Sequence, residues 1–195
     1  MTCSSIEGTN VRNVGRVERY SLARETLAQR WVDVVNNPVL RNLPYRIELN
    51  KWGHIEMTPP ASPMHMRLAT RLAVLLEKLL GGEAFTACAI ATSGGIKVAD
   101  VAWCSAAFLE RLRSSFSNWE ASLPEAPELC VEVMSPSKLA GELREKGGLY
   151  LQSGAKETWI LYPDLTIEIR DSTGVKDKSS LPIDLMQLGA ELSLL

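Results

Sequence analysis

Residues 128–150 read Glu128-Leu-Cys-Val-Glu132-Val-Met-Ser-Pro136-Ser-Lys-Leu-Ala-Gly-Glu142-Leu-Arg-Glu-Lys146-Gly-Gly-Leu-Tyr150. The segment opens as a short apolar run with one carboxylate in its middle. A period of two puts Leu129, Val131 and Val133 on one face and Cys130, Glu132 and Met134 on the other, as in a buried strand. An ionised Glu132 in that setting is costly unless a positive group meets it. Ser135-Pro136-Ser137 ends the strand and offers Ser137 as the N-cap of a helix. On that helix Glu142, Lys146 and Tyr150 are four residues apart and share one face. A strand carboxylate followed by a helix-borne lysine points towards a metal-dependent site.

Outward from this segment, the chain predicts helix, hairpin, helix, strands, strand, helix, hairpin, which is a mixed α/β sheet with helices on its faces. An amphipathic helix is expected from about Glu18 to Asn36, with Leu22, Leu27, Trp31, Val34 and Val35 on its apolar side. A β-hairpin follows over Tyr45–Leu49 and His54–Met57, with Arg46 and Glu48 on the polar side of its alternation. Met64–Leu80 is the clearest helix, with Leu68, Leu72, Leu75, Leu76 and Leu79 at helical spacing and Gly81-Gly82 as its stop. Residues 84–103 give two strands around Ser93-Gly94-Gly95, and Asp100 is a second acid set among apolar neighbours. Ala106–Pro127 reads as a Ser- and charge-rich connection. Thr158–Tyr162 and Leu165–Arg170 make a final strand pair around Pro163-Asp164, and a tail carrying Leu181, Ile183, Leu185 and Met186 packs back on the domain edge. Residues 1–16 read as a flexible N-terminus and 17–195 as one domain.

The 195 residues are 46% hydrophobic and 23% charged, with a net charge of −2, so no global basic character announces nucleic acid. Four widely spaced cysteines (Cys3, Cys88, Cys104, Cys130) and two histidines argue against a tetrahedral zinc site. Cys88, Cys104 and Cys130 read as small core residues. The start of the chain lacks a signal-peptide pattern and no apolar run reaches membrane-span length, so a cytoplasmic protein is expected.

Asp100 and Glu132 on strands, with a lysine on the next helix, form a minimal set for Mg²⁺-dependent phosphodiester hydrolysis, since Mg²⁺ takes hard oxygen ligands and keeps several waters. Spacing alone leaves other readings open. Either acid could be paired with Arg, Lys146 could be a surface i,i+4 partner of Glu142, and Tyr150 and Trp159 read first as core residues.

The chain resembles the Uma-two family of restriction-endonuclease-like proteins, in the PD-(D/E)XK superfamily, from about Leu43 to Arg170. The match runs through Tyr45-Arg-Ile-Glu-Leu, Pro59-Pro60 with His65, and Ala99-Asp100-Val101-Ala102. It continues through Glu132-Val-Met-Ser-Pro136, Glu142, Lys146, Tyr150, Ser153–Ile160 and Tyr162-Pro163-Asp164. The resemblance implies a restriction-endonuclease-like mixed β-sheet flanked by helices, with an added N-terminal helix. It also implies a Mg²⁺- or Mn²⁺-dependent endonuclease acting on DNA, with Asp100 and Glu132 as metal ligands and Lys146 orienting the nucleophile. Met134 stands where the superfamily's lysine usually lies, so that lysine has moved to the helix. His65 and Glu48 match catalytic positions near the site; the alternatives are a locally capping or packing histidine and an outward hairpin glutamate. Ala99, Glu128 and Glu142 depart from the family's usual Pro, Asp and Asp, and Gly147-Gly148 loosens the helix that carries Lys146. Cutting both strands of a palindrome calls for a homodimer, and Arg67, Arg71, Lys138 and Arg144 are candidates for a DNA face. The competing readings are an inactive nucleic-acid or protein binding module on the same fold, and a structural dimerisation domain with its acids paired to Arg.

Overall fold

The computed structural model describes residues 23–115, 121–136 and 138–194. The expected flexible stretch 1–16, Cys3, Ser137 and the first turn of the expected N-terminal helix lie outside the described residues. Within them, α1 spans Arg24–Asn36 and follows an extended Ala23. Leu27, Trp31 and Val34 face inward and Val35 outward.

A short 3₁₀ turn, Leu40–Asn42, leads to the hairpin β1 (Arg46–Leu49) and β2 (Ile55–Thr58). Ser62 then caps α2 (Pro63–Leu80) by accepting the His65 N–H at 3.2 Å, with Pro63 in the first turn where its missing N–H is harmless. The sheet follows as β3 (Glu83–Thr92), β4 (Gly95–Cys104), β5 (Leu129–Val133), β6 (Glu157–Leu161), β7 (Ile167–Asp171) and β8 (Gly174–Lys176). Their spatial order equals their sequence order; β5 and β6 pair in parallel and every other neighbouring pair is antiparallel. The parallel step requires a crossover, supplied by α4 (Ala140–Gln152).

The Ser-rich connection contains a helix that its composition does not suggest, α3 (Ala106–Ser115). Its signals are short: Phe108, Leu109 and Leu112 form the inner stripe. Ser105 caps it, accepting the Phe108 N–H, while its own hydroxyl donates to Glu128 at 2.6 Å. The tail forms α5 (Leu185–Ser193), which sets Leu188 and Leu192 against α2 and leaves Met186 exposed.

The faces of β5 follow the period of two. Leu129, Val131 and Val133 pack under α2 with Val101, Trp103, Trp159 and Leu161, while Cys130 packs on the opposite side with Phe108, Leu112 and Tyr150. Cys88, Cys104 and Cys130 are buried free thiols, as expected of core cysteines. Burial pushes Cys88 and Cys104 up to about 12, so both stay protonated.

Gly147, expected from helix propensity to loosen the seat of Lys146, has a packing role in the structure. A Cβ there would stand 3.0 Å from Thr158 Oγ1 on β6, so glycine lets α4 lie close on the sheet; Gly148 faces open space. Leu139 takes the N-cap position of α4 in place of Ser137, and its N–H is met by Glu142 at 3.3 Å. Among the described residues no helix is long and apolar enough to cross a membrane.

Candidate active site

The site forms where the far end of β5 meets the middle of β4, the start of α2 and the inner face of α4. Asp100 and Glu132 are 3% and 2% exposed, so each must be matched by polar partners. Asp100 accepts the Val133 N–H at 2.8 Å through Oδ2. Its Oδ1 meets Arg46 Nη1 at 2.6 Å and His65 Nε2 at 3.2 Å. Burial works to raise its pKa, but the His65 hydrogen bond and the charges of Arg46 and Lys138 outweigh that and hold it well below the usual carboxylate range.

Glu132 is met by Lys146 Nζ at 3.0 Å and by the Tyr150 hydroxyl, which donates to Oε1 at 3.1 Å. Here burial wins: the carboxyl is raised, Lys146 and Lys138 only partly offset the lost solvation, and Asp100 repels. Lys138 Nζ stands between the acids, 3.8 Å from Asp100 Oδ2 and 3.5 Å from Glu132 Oε2.

Lys146 is held at three points. It reaches Glu48 Oε1 at 2.7 Å, donates to the Val98 carbonyl at 2.9 Å and pairs with Glu132. Burial alone would discharge it, but Glu132 and Glu48 keep its pKa above the ordinary lysine value. Glu48 also accepts the Val98 N–H at 3.0 Å and lies 3.4 Å from Lys97. Lys146 and its neighbours outweigh the cost of burial and lower the Glu48 pKa.

Thus Asp100, Glu132, Lys146, Glu48 and His65 are brought together. Glu48 is not an outward hairpin residue: β1 lies against β4, so the polar side of its alternation points inward. The same turn brings in Arg46, which the family resemblance does not place in the site although it shares the parity of Glu48, two residues on. Tyr150 is a core residue, as expected, and also a donor to Glu132. Of the candidates for a DNA face, Lys138 belongs to the site. Arg144 turns away to a two-point pair with Glu168 at 2.6 and 2.9 Å, and Arg67 and Arg71 lie farther along α2.

These groups open into a cleft of about 470 Å³ lined by Arg46, Glu48, His65, Lys138 and Lys146, with the Pro59-Pro60 connector as its rim. Among the described residues no group of three or more His, Cys, Asp or Glu side chains could hold a metal by itself. The donor set still suits Mg²⁺, which needs only one or two carboxylates beside water and phosphate. Asp100 and Glu132 supply hard oxygens, and one ammonium, Lys138, already interacts with both.

A family profile described as "Putative restriction endonuclease" (Uma2) matches residues 36–164. The chain belongs to the Uma2 family. A crystal structure described as a putative nuclease belonging to DUF820 from Anabaena variabilis ATCC 29413 is similar in fold. Its TM-score is 0.56 at 16% identity, over 78% of this chain and 96% of that one. No curated protein matches the chain. Both α1 and the mixed sheet with its flanking helices agree with the fold expected of a restriction-endonuclease-like Uma2 protein.

Proposed function

We propose that the protein is a Mg²⁺- or Mn²⁺-dependent endodeoxyribonuclease whose reacting phosphodiester lies in the cleft over Asp100, Glu132 and Lys146. One observation carries this reading: two almost fully buried carboxylates from separate strands are met by a shared group of cations, Arg46, Lys138 and Lys146, that line an open cleft. A purely structural role would be served as well by neutral donors.

Asp100 and Glu132 would hold the metal. When bound, such an ion polarises the phosphate and makes an attacking water more acidic. Lys138 and Arg46, which here pair with the carboxylates, would be free to turn to phosphate oxygens, for which ammonium and guanidinium are matched donors. Lys146 keeps its proton, so its part is to orient the attacking water and to meet negative charge growing on the phosphate. Glu48 and the Val98 carbonyl fix Lys146, and His65 steadies Asp100; both side chains are positioning residues. Cleavage of both strands of a duplex calls for two such centres, and the reading includes a two-fold homodimer.

A non-catalytic binding module on the same fold is favoured by one feature, the 2.6 Å Arg46–Asp100 pair, which neutralises an acid a metal would need. Incubation of supercoiled plasmid and of circular single-stranded DNA with purified protein in Mg²⁺, Mn²⁺ or EDTA, beside Glu132→Ala, separates the two. Metal-dependent nicking or linearisation that the variant lacks supports the nuclease. Equal cleavage by both proteins removes Glu132 from the reaction, and no cleavage with any metal favours the binding module.

A further inference from the structure

Beside the charged cleft lies a second cavity, of about 330 Å³, that the chemistry above does not use. The two share Arg46, Pro60, Ala61 and His65 in their walls, and Asp100 also lines the second. A molecule filling the second cavity would therefore lie directly beside a phosphate in the first. Their linings differ in kind. The cleft is ringed by charge, whereas the second cavity, beyond the shared edge and Asp100, is walled by Pro44, Tyr45, Met66 and Ala69, with hydroxyls on Tyr45, Thr70 and Thr86.

An apolar chamber with a few polar groups suits a planar heteroaromatic ring, and the volume is at the lower end of the roughly 300–1,000 Å³ usual for ligand pockets. Tyr45 is exposed and can offer its ring for stacking. In the partition between the cavities, His65 uses Nε2 on Asp100, while its Nδ1 is buried with no hydrogen-bond partner among the described residues. Such orphaned atoms are uncommon in folded chains. Across the ladder from Asp100, Ala87 also lines this cavity and has φ +51°, a left-handed conformation that alanine rarely adopts.

We propose that this cavity receives the nucleobase next to the reacting phosphodiester, and hence that the substrate is a DNA strand whose base at the cleavage point is unpaired. The proposal rests on the nuclease reading for the phosphate beside it. A base stacked and paired in a duplex cannot enter a side chamber without being flipped out; a single strand, an overhang or a mismatched position escapes most of that cost. Arg46, at the boundary of both cavities, is placed to hold the phosphate while the base is seated.

The test reads binding rather than cleavage. Fluorescence anisotropy in Ca²⁺ compares a labelled single-stranded oligodeoxyadenylate, an abasic oligomer with the same phosphates, and the corresponding blunt duplex. The protein is used unchanged and as Thr70→Phe and Tyr45→Ala, both exposed positions. The base-bearing strand is expected to bind about tenfold tighter than the abasic one, the scale of one stacked base, and tighter than the duplex. Thr70→Phe, which fills the cavity, abolishes the difference, and Tyr45→Ala narrows it. Equal affinity for base-bearing and abasic strands, duplex binding as tight as single-strand binding, or a difference that neither variant alters overturns the proposal. A base-pocket failure leaves plasmid cleavage intact, whereas failure of the nuclease reading abolishes cleavage and leaves this comparison readable.

Discussion

Glu132 and Glu157 are both 2% exposed and lie on the neighbouring parallel strands β5 and β6, yet they are satisfied in opposite ways. Glu157, at the start of β6, is held by neutral donors. The Trp159 indole N–H reaches it at 2.9 Å, the Ser179 hydroxyl at 2.7 Å, and the Ser180 N–H closes the set. Those hydrogen bonds outweigh burial and lower its pKa. Glu132, near the end of β5, faces Lys146 and Lys138 and is raised. Burial of a carboxylate is therefore no mark of function by itself. The kind of partner differs: neutral donors lock Glu157 as a structural clasp on the segment before α5, while Glu132 is met by cations, which under the proposed function another charge would replace.

The largest expected effect separates the two by activity. Glu132→Gln should lower metal-dependent cleavage at least about 100-fold, the scale of losing one electrostatic partner in an active site, while Glu157→Gln leaves cleavage per folded molecule unchanged. Comparable losses in both variants, measured on plasmid at matched folded concentration, would erase the distinction.

Stability should show the reverse asymmetry. Glu157→Ala strands the Trp159, Ser179 and Ser180 donors and should cost about 1–3 kcal/mol, read as a lower urea midpoint at unchanged slope.

Acid and base limbs of stability should part as well. The lowered Glu157 carboxyl contributes stability above the usual glutamate range that is lost as pH falls through its folded value. The raised Glu132 carboxyl has the opposite sign: its contribution is full below the unfolded value and declines as pH rises through the raised one. Melting curves against pH should thus show the advantage of the unchanged protein over Glu157→Gln shrinking towards acid. Its advantage over Glu132→Gln should shrink towards neutral pH. Parallel trends for both variants would contradict the assigned directions.

The seam between the two regions gives a finer test. Gly147→Ala presses a methyl on Thr158, next to Glu157, and should destabilise by about 1–3 kcal/mol through overpacking, less the helix gain. Gly148→Ala meets nothing and should stabilise by about 1 kcal/mol. Equal effects in thermal melts would mean that α4 does not depend on close approach at Gly147. The smallest effect is expected at Lys138, whose longer, partly exposed contacts resemble a surface pair. Lys138→Met should tighten Mn²⁺ binding about three- to fivefold, the equivalent of an ion pair worth under about 1 kcal/mol. Calorimetric titration that finds weaker binding would make Lys138 a supporting group rather than a competitor.

Within single elements, much is legible in the order of residues. Strand alternation places Leu129, Val131 and Val133 on one side of β5 and Glu132 on the other, and the four-residue spacing of Lys146 and Tyr150 places both on one face of α4. Gly81 ends α2, and the resemblance names Asp100, Glu132, Lys146, Glu48 and His65 as one group. The helix α3 escapes because its apolar stripe is only three residues long and its composition is that of a loop.

The order of residues alone settles which side of each strand or helix a side chain occupies, because backbone geometry repeats every 2 or 3.6 residues whatever surrounds it. Which element that side meets is settled only when the elements pack. Arg46 reaches Asp100 from a hairpin that precedes the sheet in the chain, because β1 lies against β4 in the folded molecule. The polar side of β1 becomes the wall of the charged cleft only because β4 covers it, and Gly147 becomes a close-packing residue only because β6 lies beneath. Local periodicity carries no record of such neighbours. They are chosen by the order of strands in the sheet and by the burial that order makes possible.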